Sequence, residues 1–100
     1  MMVRIGNVKT FSEVKPDKAQ ALKVLEEAAE VVEAWKDHDR FMDTVDFVFG
    51  ECQPKTKVAL LDECADVIQA TCNLIASLGV YDFTEYMRDC EERNRKRGRL

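Results

Sequence analysis

The stretch Leu25-Glu26-Glu27-Ala28-Ala29-Glu30-Val31-Val32-Glu33-Ala34 returns as Leu61-Asp62-Glu63-Cys64-Ala65-Asp66-Val67-Ile68-Gln69-Ala70. The leucine, the second acid, an alanine, a valine and the closing alanine are identical. Glu26/Asp62, Glu30/Asp66 and Val32/Ile68 are conservative pairs. The apolar spacing of each copy is that of one amphipathic helix. In each copy two carboxylates stand three residues apart, at Glu27/Glu30 and Glu63/Asp66. Side chains at that spacing share a helix face, roughly 5–6 Å apart. Like charges so close repel, and a chain shaped only by stability would avoid the arrangement twice. Both pairs also border the apolar arc, near Val24/Val31 and Leu60/Val67, so packing those residues draws the acids out of open water. An antiparallel pair of such helices, related by a local pseudo-two-fold, brings four carboxylates together. The partner such a group calls for is a hard divalent cation. A solvated acidic face explains one such pair; repetition in a matched frame argues against it for two.

The rest of the chain reads as all-α. Residues 1–16 have no helical period; Val3, Ile5 and Val8 suggest a short extended arm, broken by Gly6, Asn7 and Pro16. Asp17 with Gln20 is a capping-box pattern. It opens a first helix that the apolar stripe Ala21, Val24, Leu25, Ala28, Val31, Val32, Trp35 carries to about Asp37. Lys36-Asp37-His38-Asp39-Arg40 reads as a polar break. Phe41, Val45, Val48 and Phe49 predict a short helix ended by Gly50, with a strand as the alternative. After Gln53-Pro54, Thr56 is the expected cap of a second long helix running to about Leu78, with Gly79 as its C′ residue. Asp82 and Glu85 repeat the capping-box pattern before a last helix carrying Phe83, Tyr86, Met87 and Cys90. A single domain is expected over 1–100, with an arm at 1–16 and a helical body at 17–99.

Composition narrows the class. The chain has 100 residues and a net charge of −4, which argues against a general nucleic-acid binder. No apolar run reaches the roughly 18–20 residues of a membrane span, and no secretory segment follows Met1. Its four cysteines form no CxxC pair and no Cys/His cluster. Cys64 and Cys72 fall on the apolar side of one predicted helix, as reduced core residues do. The expectation is a cytoplasmic protein. Two helices of about 20 residues, roughly 30 Å each, carry apolar arcs wider than one neighbour covers. They are expected to run antiparallel and to complete a four-helix bundle by homo-oligomerisation, as dimer or tetramer.

Oxygen-only ligands select magnesium, with manganese as a substitute, over softer metals. The only histidine, His38, lies outside both motifs, so the Glu-x-x-His pattern of di-iron bundles is missing. Magnesium held by a few carboxylates completes its coordination with water and substrate phosphates. That points to phosphate-ester or anhydride chemistry.

Glu26-Glu27-x-x-Glu30, a spacer, then Glu63-x-x-Asp66 resembles the signature of the MazG-like all-α nucleotide pyrophosphohydrolases. Ala34-Trp35, Val67-Ile68 and Asn73-Leu74 fit the same context, and Asn94-x-x-Arg97-Gly98 resembles the tail of small phage-type members. The resemblance spans about residues 15–99. It implies cleavage of a (deoxy)nucleoside triphosphate between the α and β phosphates, giving the monophosphate and pyrophosphate. It implies magnesium on Glu27, Glu30, Glu63 and Asp66, with Glu26 and Glu27 as the catalytic acids and Glu26 outside the metal shell or activating water. It implies phosphate contacts from Asn94 and Arg97. One departure stands out: related tails often carry lysine one turn before the asparagine, where this chain has Cys90. Phosphoribosyl-ATP pyrophosphohydrolase is a close relative in pattern. Asn73 is read either as a substrate contact or as a surface amide, and Trp35 either as core or as a base-stacking platform. The competing class is a non-catalytic helical interaction module whose acidic faces bind metal or a basic partner.

Overall fold

The structure, a computed structural model, describes residues 1–44 and 54–100. Three helices follow one another: α1 (Lys18–Thr44), α2 (Lys55–Ser77) and α3 (Thr84–Lys96). The described residues contain no strand, and the fold is all-α as the periodicity predicts. Phe41, expected to open a separate short helix, belongs to α1; the rest of that element, Val45, Val48, Phe49 and Gly50, lies outside the described residues.

The start of α1 follows its sequence signal: the Asp17 carboxylate accepts the Gln20 backbone N–H at 2.9 Å, satisfying one of the helix's free donors. Its end does not. The helix runs through the polar stretch 36–40 to Thr44. That stretch holds no Gly or Pro, so nothing removes a backbone hydrogen bond. Lys36 pairs with Glu33 at 3.2 Å and Arg40 with Asp37 at 3.8 Å, each three residues back on the helix surface.

Thr56 does not cap α2. Pro54 occupies the N-cap with no side-chain bond, and the Thr56 hydroxyl instead shares a 2.9 Å hydrogen bond with His38 Nδ1 on α1. The end of α2 is as expected. Gly79 adopts φ 79°, its N–H reaches the Ala76 carbonyl at 2.9 Å, and the Val80 N–H reaches Ile75 at 3.4 Å. That pair of bonds is a Schellman stop, which needs a left-handed residue at C′. In α3 the capping acid sits one position further out than the pattern suggested. Asp82 accepts both the Thr84 N–H and its hydroxyl, at 3.0 and 2.6 Å, while Phe83 holds the N-cap. Those two donors hold the Asp82 carboxyl below its ordinary range. Gly98, at φ 73°, closes α3 with a second Schellman pair, Arg99 N–H to Asn94 and Gly98 N–H to Arg95.

α1 and α2 form an antiparallel hairpin. His38, near the end of α1, meets Thr56 in the first turn of α2, and Glu27 meets Glu63 and Asp66. Val24, Ala28, Val31 and Ala34 are half-buried against Leu60, Cys64, Val67 and Leu74. Each helix advances about 100° per residue, and the two carry the same frame in opposite directions. The acidic flank of both therefore falls on one face of the hairpin, and a second apolar stripe falls on the other. That stripe contains Leu25, Val32 and Trp35 on α1 and Val58 and Leu61 on α2, all exposed. Among the described residues only Ala70, Asn73 and Ala76 are buried. α3 makes no close approach to either long helix. The Cα radius of gyration is 16.7 Å, against ~13 Å for a compact chain of this length. No described helix is long and apolar enough to cross a membrane.

Candidate metal centre

The matched frame brings its acids together across the hairpin. Carboxylate oxygens of Glu27, Glu63 and Asp66 all lie within 4.8 Å of one another. Glu27 and Glu63 are half-buried and Asp66 is exposed, so the group opens to solvent on one side. Glu30 stands beside it, where it lines a groove of about 460 Å³ with Glu33, Asp37, Lys55, Thr56 and Glu63.

One atom tests whether a cation fits. Glu63 Oε2 is buried and has no hydrogen-bond partner. A buried polar atom left unpaired costs about 1–3 kcal/mol, more when charged. Glu27 and Asp66, whose oxygens come within 4.8 Å of a Glu63 oxygen, are carboxylates and can donate nothing while ionised. A hard cation with oxygen ligands removes that cost, and the donor set holds no nitrogen or sulfur that would favour a softer metal. The residues present fit a divalent ion of the magnesium class, held by Glu27, Glu63 and Asp66 with Glu30 in reach of the groove.

Two neighbours complete the electrostatics. Lys23 reaches Glu27 Oε1 at 3.3 Å and Glu26 Oε2 at 3.4 Å. These hydrogen bonds, the one to Glu27 first, hold the ammonium above its ordinary range. Glu26 stays exposed, outside the carboxylate group. Lys23 was absent from the sequence reading, although its spacing of three and four residues from Glu26 and Glu27 is a recognised helix-pair signal.

Other expected site residues sit elsewhere. Trp35 is on the apolar face, 54% exposed, its ring 6.1 Å from that of His38. Asn73 is 3% exposed. Its Oδ1 accepts the Phe11 backbone N–H and Gln69 Nε2, both at 3.1 Å, so it is neither a surface amide nor open to substrate. Asn94 and Arg97 belong to the end of α3, and this chain does not bring them to its own hairpin. Asn94 Nδ2 donates to Cys90 Sγ at 3.5 Å, so the residue in the usual lysine position contacts the tail asparagine.

An all-α antiparallel hairpin that gathers carboxylates from matching positions of both helices defines a nucleotide-pyrophosphohydrolase fold with a candidate metal site. The chain belongs to the phosphoribosyl-ATP pyrophosphohydrolase family, whose model matches residues 7–94, within the MazG-like all-α superfamily. No curated protein and no solved structure matches it.

Proposed function

We propose that the protein is a magnesium-dependent pyrophosphohydrolase that cleaves the α–β anhydride of a nucleotide carrying a 5′-triphosphate. The observation that carries this reading is the convergence of Glu27, Glu63 and Asp66, with Glu63 Oε2 buried and unpaired, in a chain of this family. Water attacks the α phosphorus, the bond from that phosphorus to the bridging oxygen breaks, and the products are the nucleoside monophosphate and pyrophosphate. A bound ion would supply charge neutralisation and orient the water. Glu27, Glu30, Glu63 and Asp66 would hold the ion, whose charge would draw in the phosphates nearest the nucleoside, and Glu26 takes a proton from the water. Manganese substitutes for magnesium in an all-oxygen site.

The departing β and γ phosphates need cations. Asn94 and Arg97 lie far from the hairpin's acids in their own chain, so they serve a second copy, seated on the exposed stripe of Leu25, Val32, Trp35 and Leu61. The substrate class is a (deoxy)nucleoside triphosphate of the kind that phage-type relatives take; the family's name adds phosphoribosyl-ATP to the compounds to be assayed.

Hydrolysis in ¹⁸O-water tests the reaction. Pyrophosphate release that depends on added magnesium, with label in the monophosphate, is expected. Label in pyrophosphate places attack at the β phosphorus, and orthophosphate with a diphosphate overturns the reading. A helical module that only binds metal or a basic partner gives no product at all. Light scattering at micromolar concentration should show a dimer or tetramer; a monomer counts against the shared site.

A further inference from the structure

The arm before α1 is held on the flank of α2 that carries Asp66. Asp66, Gln69 and Asn73 follow one another on a single flank of α2, at spacings of three and four residues. The last two hold the arm: Gln69 Nε2 donates to the Lys9 carbonyl at 2.9 Å, and the Phe11 N–H donates to Asn73 Oδ1 at 3.1 Å. Gln69 also donates to that same Asn73 oxygen, so one buried amide organises the corner. Asn73 is the one buried polar residue among those described, and its side chain is spent on an arm 62 positions away in sequence. Such a contact fixes a backbone segment that has no secondary structure of its own.

Fixing the arm seats the Phe11 backbone on the flank of α2 that also carries Asp66. Its side chain is 64% exposed although its backbone is anchored. Seven residues of helix separate Asn73 from Asp66, about 10 Å at 1.5 Å per residue. That is the reach from the inner phosphates of a nucleotide across its sugar to the base.

We propose that Phe11 is the platform on which the nucleobase stacks, and that Asn73 is a positioning residue that sets Phe11 through the Phe11 backbone. This rests on the reaction assigned above only for the orientation of the substrate. A stacking face accepts any base, so this corner contributes affinity for a nucleoside, and base choice is left to the edges of the arm backbone around it.

Binding, measured without turnover, separates this proposal from the reaction. The probes are α,β-methylene deoxynucleoside triphosphates of all four bases and inorganic tripolyphosphate, each with magnesium, titrated calorimetrically. Phe11→Ala should weaken the base-bearing analogues roughly 5- to 150-fold, the range that ~1–3 kcal/mol per stacked base gives, and change tripolyphosphate less than about twofold on the same scale. Phe11→Tyr should restore binding. Phe11→Trp in a Trp35→Phe background should be quenched by the analogues and not by tripolyphosphate. Asn73→Ala should reproduce the base-selective loss, with Gln69→Ala as the milder check should the buried change disturb folding. An equal loss for tripolyphosphate, or no loss with Phe11→Ala while Trp35→Phe abolishes analogue binding, overturns the proposal. Failure of the wild type to release pyrophosphate, with base-selective binding retained, overturns the reaction and leaves this site standing.

Discussion

Glu63→Gln should stabilise the metal-free protein and abolish its response to magnesium. The oxygens of Glu27, Glu63 and Asp66 lie within 4.8 Å. At that separation two unit charges repel by about 1 kcal/mol in bulk water and about 3.5 kcal/mol at an effective dielectric of 20. Glu63 takes part in two such pairs, and the half-buried site lies between the two limits. The amide also gives the orphaned Oε2 position a donor for a neighbouring carboxylate, at the cost of desolvating its own polar atoms. The net gain should be about 1–3 kcal/mol, a rise of roughly 4–8 °C in Tm for each kcal/mol in a domain of this size. Magnesium at 1,000 times its Kd should stabilise the wild type by about 4.1 kcal/mol and the variant hardly at all. The order of melting temperatures should therefore invert between chelator and magnesium. Thermal melts by circular dichroism, at one fixed protein concentration, read this directly. A variant that melts below the wild type in chelator, or a wild type indifferent to magnesium, would refute the reasoning.

Glu27→Gln and Asp66→Asn should each remove magnesium-dependent pyrophosphate release while far-UV circular dichroism stays unchanged; wild-type turnover by both at saturating magnesium would show the wrong site. Arg97→Ala should lower kcat more than it raises KM, because a contact to the departing phosphates strengthens as charge develops on them; steady-state kinetics decide. Asp82→Asn should destabilise the protein near neutral pH and lose that effect in acid. The folded pKa of Asp82 is lowered by Thr84, so its stabilisation is present above the unfolded value of about 3.9 and disappears as pH falls through the folded value. Denaturant melts of both proteins across that window check the sign.

The helices were legible because each carries its own period and its own stop. Gly79 and Gly98 hold the left-handed positions that their Schellman bonds need. Polarity alone does not break a helix. Residues 36–40 are polar but contain no Gly or Pro, and their charges find partners one turn away, so α1 continues. Thr56 has the chemistry of a cap, and only its neighbour His38 across the hairpin explains why its hydroxyl turns elsewhere. Glu30 matches Asp66 in the duplicated frame yet lines the neighbouring groove outside the trio; Glu27, Glu63 and Asp66 were legible from that frame. The Asn73–Phe11 contact was not, because nothing local in either segment marks a partner 62 positions away.

The two faces of the hairpin follow from one requirement. Carboxylates on different helices come within 4.8 Å only if the helices approach closely, and close approach needs small side chains between them. Ala28, Ala34, Ala70 and Ala76 supply these along the shared side of α1 and α2, and the last two are buried. Alanine brings little apolar surface out of water, at about 25 cal/mol per Å². The seam that assembles the acids is therefore weak in itself and carries their repulsion besides. The larger apolar residues, Leu25, Val32, Trp35 and Leu61, lie on the far face, where they leave the spacing at the acids undisturbed. A second copy covering them would add stability at a surface apart from the carboxylates while its own tail serves the phosphates. The carboxylates could then stay close, offset only by Lys23 at Glu27, until a cation arrives.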